Sequence, residues 1–399
     1  MSVSPGPRAL VTSGIGAVRC ALVVRLLDEW WSYLPAGSID DQVRDLGLSY
    51  GQSGWLLALL TLGGLLGSPF AALADRGHRR LLATTGAVLI AVGLSAFALS
   101  APFPVLAVAA TVLGGASDLV IRPLESSLAE AADGELDRLL GRQHLLTWAG
   151  DFVAPALLGV GAATAIGWRG VFALTAVVFV AFAARLATLV FPHPVADTDG
   201  AGTSLLDSAR SLLRHRELWL LTAAEFALLP LDEAFLGFAV ARTAAEGEGA
   251  AAQLLAGGVV AGGLVGAAVV SRRGLDRRLV ASGCGLLVVC AAVTAAPWPT
   301  AATIAGLVCV GLGTAIVWAK VHHRTLTLAP SRSATVPTMV GLLSTPALLV
   351  PVAMGVTADR LSITTALAGA ALLAIPLAAV VLALGGGRVE PAELDTLDD

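Results

Sequence analysis

The sequence predicts an all-α membrane protein with twelve transmembrane helices in two six-helix parallel pseudo-repeats. Three observations carry that prediction. Of the 399 residues, 56% are hydrophobic and 14% are charged, at a mean hydropathy of +0.81; soluble domains carry about 25% charged residues. The apolar runs have lengths near the roughly 20 residues that cross a hydrocarbon core as helix. The second half of the chain also repeats landmarks of the first. Asp28-Glu29 returns as Asp232-Glu233, Arg79-Arg80 as Arg277-Arg278, Pro102-Phe103-Pro104 as Pro297-Trp298-Pro299, and Arg122 as Lys320. All four pairs share an offset close to half the chain, as a duplicated membrane unit requires.

Taken in order, the apolar runs place helices over 11–35, 51–74, 81–100, 104–129, 144–166 and 169–191. The second set falls over 217–241, 250–271, 279–297, 300–327, 334–357 and 362–385. Gly63-Gly64 with Gly67, and Gly257-Gly258 with Gly262-Gly263, are small residues of the kind that let membrane helices approach closely. The expected organisation is a bundle over 1–191, a linker over 192–216, a second bundle over 217–387 and an acidic tail over 388–399. In the linker, Leu205, Leu206, Ala209, Leu212 and Leu213 share one helical face edged by Arg210, Arg214 and Arg216. That pattern suits a helix lying on the membrane surface. The tail (Glu390, Glu393, Asp395, Asp398, Asp399) has the composition of a disordered segment.

The arginine bias sets the expected orientation. With a cytoplasmic N-terminus, sixteen arginines fall on cytoplasmic segments and four (Arg44, Arg169, Arg242, Arg360) on external ones. Both termini are therefore expected inside, in a cell inner membrane. Several function classes are disfavoured. Lys320 is the only lysine and is followed by Val321, so no Walker A phosphate loop exists. Cys20, Cys284, Cys290 and Cys309 form no Cys-x-x-Cys and lie in apolar runs, so they read as small buried residues. No metal spacing, nucleophile elbow or dinucleotide fingerprint appears, and a net charge of −4 gives no reason to expect a nucleic-acid partner. The chain is expected to be a monomer without a cofactor, and not an enzyme. Arg19 interrupts the first apolar run, which disfavours a cleavable signal peptide.

Between the second and third helices stands Ala71-Ala72-Leu73-Ala74-Asp75-Arg76-Gly77-His78-Arg79-Arg80. It resembles the G-x-L-A-D-R-x-G-R-[RK] loop of the major facilitator superfamily. Ala71 departs from the first Gly of that pattern, and Gly77-His78 departs from x-G. A degenerate copy, Ser271 to Arg278, carries Arg273 at the Asp position. The resemblance covers the whole chain: twelve helices, a six-plus-six repeat and a central linker. It implies that helices 1, 4, 7 and 10 line a central cavity, and that Asp75, Arg76, Arg79 and Arg80 form a cytoplasmic latch between the halves. Independently, Asp75 and Arg79 are an i, i+4 pair at a helix end; the other reading is that these arginines only enforce topology. Gly47-Leu48-Ser49-Tyr50-Gly51-Gln52-Ser53-Gly54 looks like the drug-efflux branch that includes fosmidomycin-resistance proteins. Gly150, Pro155 and Gly159 partly resemble the antiporter motif of helix 5.

Charges inside the apolar runs carry the functional expectation. An ionised group at the centre of a spanning helix costs at least about 2.5 kcal/mol on insertion scales. Helix 1 carries Arg25, Asp28 and Glu29, spaced so that Arg25 reaches either acid on its own helix. Helix 4 carries Asp118, Arg122 and Glu125 on one face, and helix 5 carries Asp151. Helix 7 holds Glu225, Asp232 and Glu233; helix 10 holds Lys320 and, at the repeat position of Glu125, His323. Acids outnumber bases, so a dry cavity requires some of them to bind protons or a cation. The alternatives are acids that face water at the outer mouth and a static ion pair of Arg122 with Asp118 or Glu125. Trp30, Trp31, Phe235 and Trp318 are candidate cavity aromatics, although Trp30, Trp31 and Tyr33 equally suit an interfacial belt. The expected function is a proton-coupled secondary active transporter working by alternating access, exporting a small amphipathic or cationic compound. The alternatives are an uptake symporter of a small organic anion clamped by Arg122 and Lys320, and a non-transporting receptor or scaffold.

Overall fold

The computed structural model describes residues 7–71, 78–131, 136–191, 212–246, 249–296, 300–328 and 335–384. Among the described residues the chain is nearly all helical and holds no strand. The first repeat comprises α1 (Pro7–Gly37), α2 (Ile39–Leu46), α3 (Tyr50–Ala71), α4 (Arg79–Ala98), α5 (Phe103–Ala131), α6 (Leu136–Ala163) and α7 (Gly167–Ala187). The second comprises α8 (Arg216–Leu229), a π-turn (Pro230–Ala234), α9 (Phe235–Ala245), α10 (Gly249–Arg273), α11 (Arg277–Ala295) and α12 (Thr300–Thr327). It continues through α13 (Thr335–Leu343), a 3₁₀ turn (Thr345–Leu348), α14 (Leu349–Arg360), α15 (Ile363–Ala371) and α16 (Ala374–Ala383). These group into twelve spans among the described residues, near the expected limits. The seventh span is α8 to α9, the eleventh α13 to α14 and the twelfth α15 to α16.

Seven of the described helices are long and apolar enough to cross a membrane unaided by other considerations. Three of the other spans are interrupted for physical reasons. Helix α1 carries Arg19, Arg25, Asp28 and Glu29. Spans seven and eleven break where Pro230 and Pro346 withdraw a backbone N–H.

One element was not expected. Helix α2 is only eight residues long, and a reading window matched to bilayer thickness passes over it. Its Asp40 and Asp41 sit in the first turn and Arg44 in the last, each complementing the helix dipole. The corner before it is tied by side chains. Ser38 Oγ donates to the Leu34 carbonyl at 2.7 Å, and Gln42 Nε2 donates to the Pro35 carbonyl at 2.8 Å. Gly47 ends α2 in the left-handed region at φ 66°, where a glycine is unstrained.

The chain divides into two compact units. One holds residues 1–196 together with 240–257 and 351–359; the other holds 197–239, 258–350 and 360–399. In the first unit α3 and α4 pack on α5, α1 on α6, and α4 on α7. The α4–α7 seam is aromatic: Phe97 stacks on Phe172 at 5.3 Å, and Trp168 meets Phe172 edge-on at 5.5 Å. The α3–α5 seam is glycine-based. A Cβ on Gly63 would run into the Thr111 carbonyl, and one on Gly114 into the Leu60 carbonyl. In the second unit α11 packs on α12 and on α16. The α10–α12 seam repeats the glycine device, with Gly262 against the Val308 carbonyl and Gly311 against the Val259 carbonyl. The duplication is thus visible in backbone packing as well as in sequence markers.

Candidate functional site

Arg25, Asp28, Asp118, Arg122 and Glu125 lie on α1 and α5, which pack against each other. Among the described residues the hydrogen-bonded partner of Arg25 lies on another helix. The arginine crosses to α5, where its guanidinium forms an ion pair with Glu125 and Nε donates to Oε1 at 3.1 Å. The two side chains are 29% and 27% exposed, so both are largely withdrawn from the surface. The reason is geometric. A same-helix partner at i+3 or i+4 lies along the helix surface, whereas Glu125 comes from a helix packed against that face.

Asp28 is held by neutral donors. Ser117 Oγ of α5 donates to Asp28 Oδ1 at 2.6 Å, and Trp31 Nε1 donates to the same oxygen at 3.1 Å. Glu29, one residue on, points elsewhere along the helix: a Cβ built on Gly150 of α6 would lie 2.9 Å from Glu29 Cβ. The adjacent acids therefore face different neighbours. One level further along α5, Arg122 Nε lies 3.5 Å from Asp118 Oδ1, with Arg122 itself 60% exposed. Sequence spacing left Asp118 and Glu125 as alternative partners for Arg122; the structure gives it Asp118 and gives Glu125 to Arg25.

Trp31 and Tyr33 are sealed inside the protein, which removes them from a lipid-facing belt. Trp30 is partly buried, and its indole N–H has no hydrogen-bond partner among the described residues. Phe235 is fully buried, so it presents no surface to a cavity in this state.

In the second unit Lys320 lies part-buried on α12. One turn on, Arg324 bridges to Glu217 of α8 at 2.6 Å. Trp318 stacks on His322 at 4.7 Å with planes 9° apart, while His323 is exposed. Asp232 and Glu233 fall in the π-turn, a distortion frequent at functional sites; their side chains lie outside the described residues. Of the cytoplasmic loop set, Asp75 and Arg76 lie outside the described residues. Arg79 is 2% exposed at the start of α4, and Arg80 is exposed.

Four contributors were missed from sequence. Ser117 is an ordinary hydroxyl in an apolar helix, and nothing in its spacing marked it. Glu217 was absorbed into a helix start. Asp359 stands beside Arg360, whose sequence signal is one of topology alone. Asp45 lay in the unrecognised α2. Trp168 Nε1 donates to Asp45 Oδ2 at 2.9 Å, joining α2 to α7. Burial pushes the Asp45 carboxyl up, but hydrogen bonds from Trp168 and Arg44, with the charges of Arg44 and Arg169, outweigh it and hold it below the usual carboxylate range. Among the described residues no group of three or more His, Cys, Asp or Glu side chains could hold a metal ion.

Twelve spans, an internal repeat and ion pairs inside apolar helices define a secondary transporter of the alternating-access type rather than an enzyme. The family model described as Major Facilitator Superfamily matches residues 26–345, and the chain belongs to that superfamily. Among solved structures it is similar to the nucleoside transporter NupG, at 12% identity and a TM-score of 0.72, covering 94% of this chain and 100% of that one. It is similar to a bacterial homolog of the human lysosomal transporter Spinster in an inward-facing, unoccupied conformation, at 17% identity and a TM-score of 0.63, covering 96% and 95%. A D-xylose-proton symporter matches at 15% identity and a TM-score of 0.65, covering 90% and 97%. At these identities the likeness is one of fold. No curated protein matches the sequence.

Proposed function

We propose that the protein is a proton-coupled exporter of a small amphipathic or cationic compound, lying in a cell inner membrane with both termini cytoplasmic and working as a monomer. The observation that supports this most is the division of labour on α1 and α5. The Arg25 guanidinium is engaged by Glu125, while among the described residues the Asp28 carboxyl accepts hydrogen bonds from a hydroxyl and an indole N–H. A carboxyl held by neutral donors inside a membrane helix is well placed to take a proton on one side and release it on the other. Glu29, Asp118, Asp232 and Glu233 extend the acidic lining, and Arg122, Lys320 and His323 are its basic counterparts. Trp30 brings an indole donor with no partner among the described residues and, with Trp318, an aromatic surface for an amphipathic compound. Residues 192–216 link two bundles, 1–191 and 217–387, ahead of the acidic tail. Asp75, Arg76, Arg79 and Arg80 latch the cytoplasmic face.

The test is transport in proteoliposomes with an internal pH dye and a panel of cationic, neutral and anionic compounds. Cation-driven proton movement that is lost in Asp28→Asn supports the reading. A response to anions alone, lost in Arg122→Ala or Lys320→Ala, replaces it with anion uptake; the approach of Arg324 to within one turn of Lys320 on α12 favours that second reading. Folded protein that moves no protons with any compound overturns the coupling assignment.

A further inference from the structure

The first four N–H groups of a helix have no partner inside it. At α3 all four are satisfied, and half of the partners come from far along the chain. Ser49 and Gln52 form a reciprocal capping box: the Ser49 N–H donates to Gln52 Oε1 at 2.9 Å, and the Gln52 N–H donates to Ser49 Oγ at 3.1 Å. The two donors between them, Tyr50 N–H and Gly51 N–H, go to Asp359 Oδ1 and Oδ2, each at 2.8 Å. Asp359 is in the last turn of α14, in the second repeat, yet it belongs to the same compact unit as α3. A carboxylate grasping two consecutive amides at a helix N-terminus gains both charge-assisted hydrogen bonds and a favourable dipole.

The surrounding glycines make room for the grip. A Cβ on Gly51 would come within 2.9 Å of Asp359 Oδ2, one on Gly54 would strike the Pro351 carbonyl, and one on Gly355 the Tyr50 carbonyl. The segment Gly47 to Gly54 thus serves as a socket for the end of α14.

We infer that Asp359 and the α3 N-terminus form a clasp that holds the external side shut, and that the transport cycle must open it. The inference rests on the alternating-access reading, and takes from it that α3 and α14 part when the external side opens. A fixed cap would suit a helix that never leaves its partner; here the cap is divided between a local box, which survives separation, and a distant carboxylate, which does not. Once the clasp opens, Ser49 and Gln52 still serve two amides and water serves the other two.

The experiment has two arms in protein lacking its four native cysteines. In the first, Val356→Cys, whose native Cγ2 lies 3.5 Å from a Cβ built on Gly51, is labelled with a membrane-impermeant maleimide without substrate. Asp359→Ala is expected to raise the labelling rate at least about fivefold, as loss of a helix cap predicts, and Asp359→Asn less, since its amide keeps one acceptor. An unchanged rate in both variants overturns the clasp. In the second arm, Gly51→Cys and Val356→Cys are oxidised together; the Cβ added at Gly51 displaces the Asp359 carboxylate, so the disulfide replaces the clasp as the tie between α3 and α14. Cross-linked protein is expected to stop transporting and to resume on reduction; full transport by the cross-linked form overturns the requirement for opening. The labelling arm needs neither substrate nor proton gradient, so failure of the proton-coupling proposal leaves it intact and decisive.

Discussion

Breaking the Arg25–Glu125 pair should cost stability in a way that a second substitution restores. Removing one partner of a buried pair strands a charge in a poor dielectric, which costs more than the pair itself contributes. With about a quarter of each side chain exposed, the full penalty for a sealed pair is reduced. A charge-assisted hydrogen bond in such a setting contributes about 2 kcal/mol. Glu125→Leu and Arg25→Leu should each lower the thermal midpoint in detergent by roughly 4–8 °C, on the scale for a unit of this size. The double variant should lose less than the sum of the two, because it leaves no unpaired charge. The assay is a thiol-reactive fluorophore read during heating: Cys20, Cys284 and Cys290 are buried in the folded protein and become reactive as it unfolds. Additivity of the two single effects to within about 0.5 kcal/mol would refute the reasoning, since uncoupled residues behave that way. Transport is the wrong readout for this question, because both residues border the proposed site.

Three other outcomes are expected. Gly63→Leu and Gly262→Leu should each reduce folded yield sharply and by similar amounts in size-exclusion profiles, because each drives a side chain into a facing carbonyl; Gly285→Ala, with nothing within 4 Å of the added Cβ, should change neither yield nor midpoint. Trp168→Phe should lower the midpoint at neutral pH and leave it closer to wild type in acid. The Asp45 carboxyl is depressed in the folded state, so its contribution is present above the unfolded carboxylate range near about 4 and is lost as pH falls through the folded value; a gap that persists unchanged at low pH would assign the effect to packing alone. Ala165→Cys, at an exposed turn after α6, should be labelled from outside intact cells by an impermeant reagent; labelling only after permeabilisation reverses the proposed orientation.

The spans were legible because a bilayer imposes one length and one polarity on every crossing segment. Even span seven, broken at Pro230, kept enough apolar residues to be counted. Helix α2 was not legible for the same reason, since it does not cross. The charges were legible as residues and illegible as pairs. Sequence spacing exposes partners on one helix and is silent on partners brought by packing, so Arg25 read as the partner of Asp28 or Glu29 while Glu125 was its partner in space. Ser117 carried no signal at all. The Gly47–Gly54 segment did carry one: Ser49 and Gln52 are the signature of a helix start, but nothing local pointed to Asp359, 309 positions from Tyr50.

The two repeats diverge unevenly, and physical constraint accounts for where. Gly63 and Gly114 of the first correspond to Gly262 and Gly311 of the second, and each pair sets a helix against a carbonyl of its neighbour. Any side chain there pushes two backbones apart, and that displacement spreads through both helices. Glu125 and Arg122 correspond instead to His323 and Lys320. A charged side chain alters only its partners, provided the local charge balance survives. In the first repeat Arg25 supplies that balance for Glu125; in the second, Arg324 is balanced by Glu217 from α8. The duplicated scaffold is therefore held by its glycines while its charges are free to differ. An asymmetric compound needs that difference, because two identical half-sites would bind it equally well in either orientation.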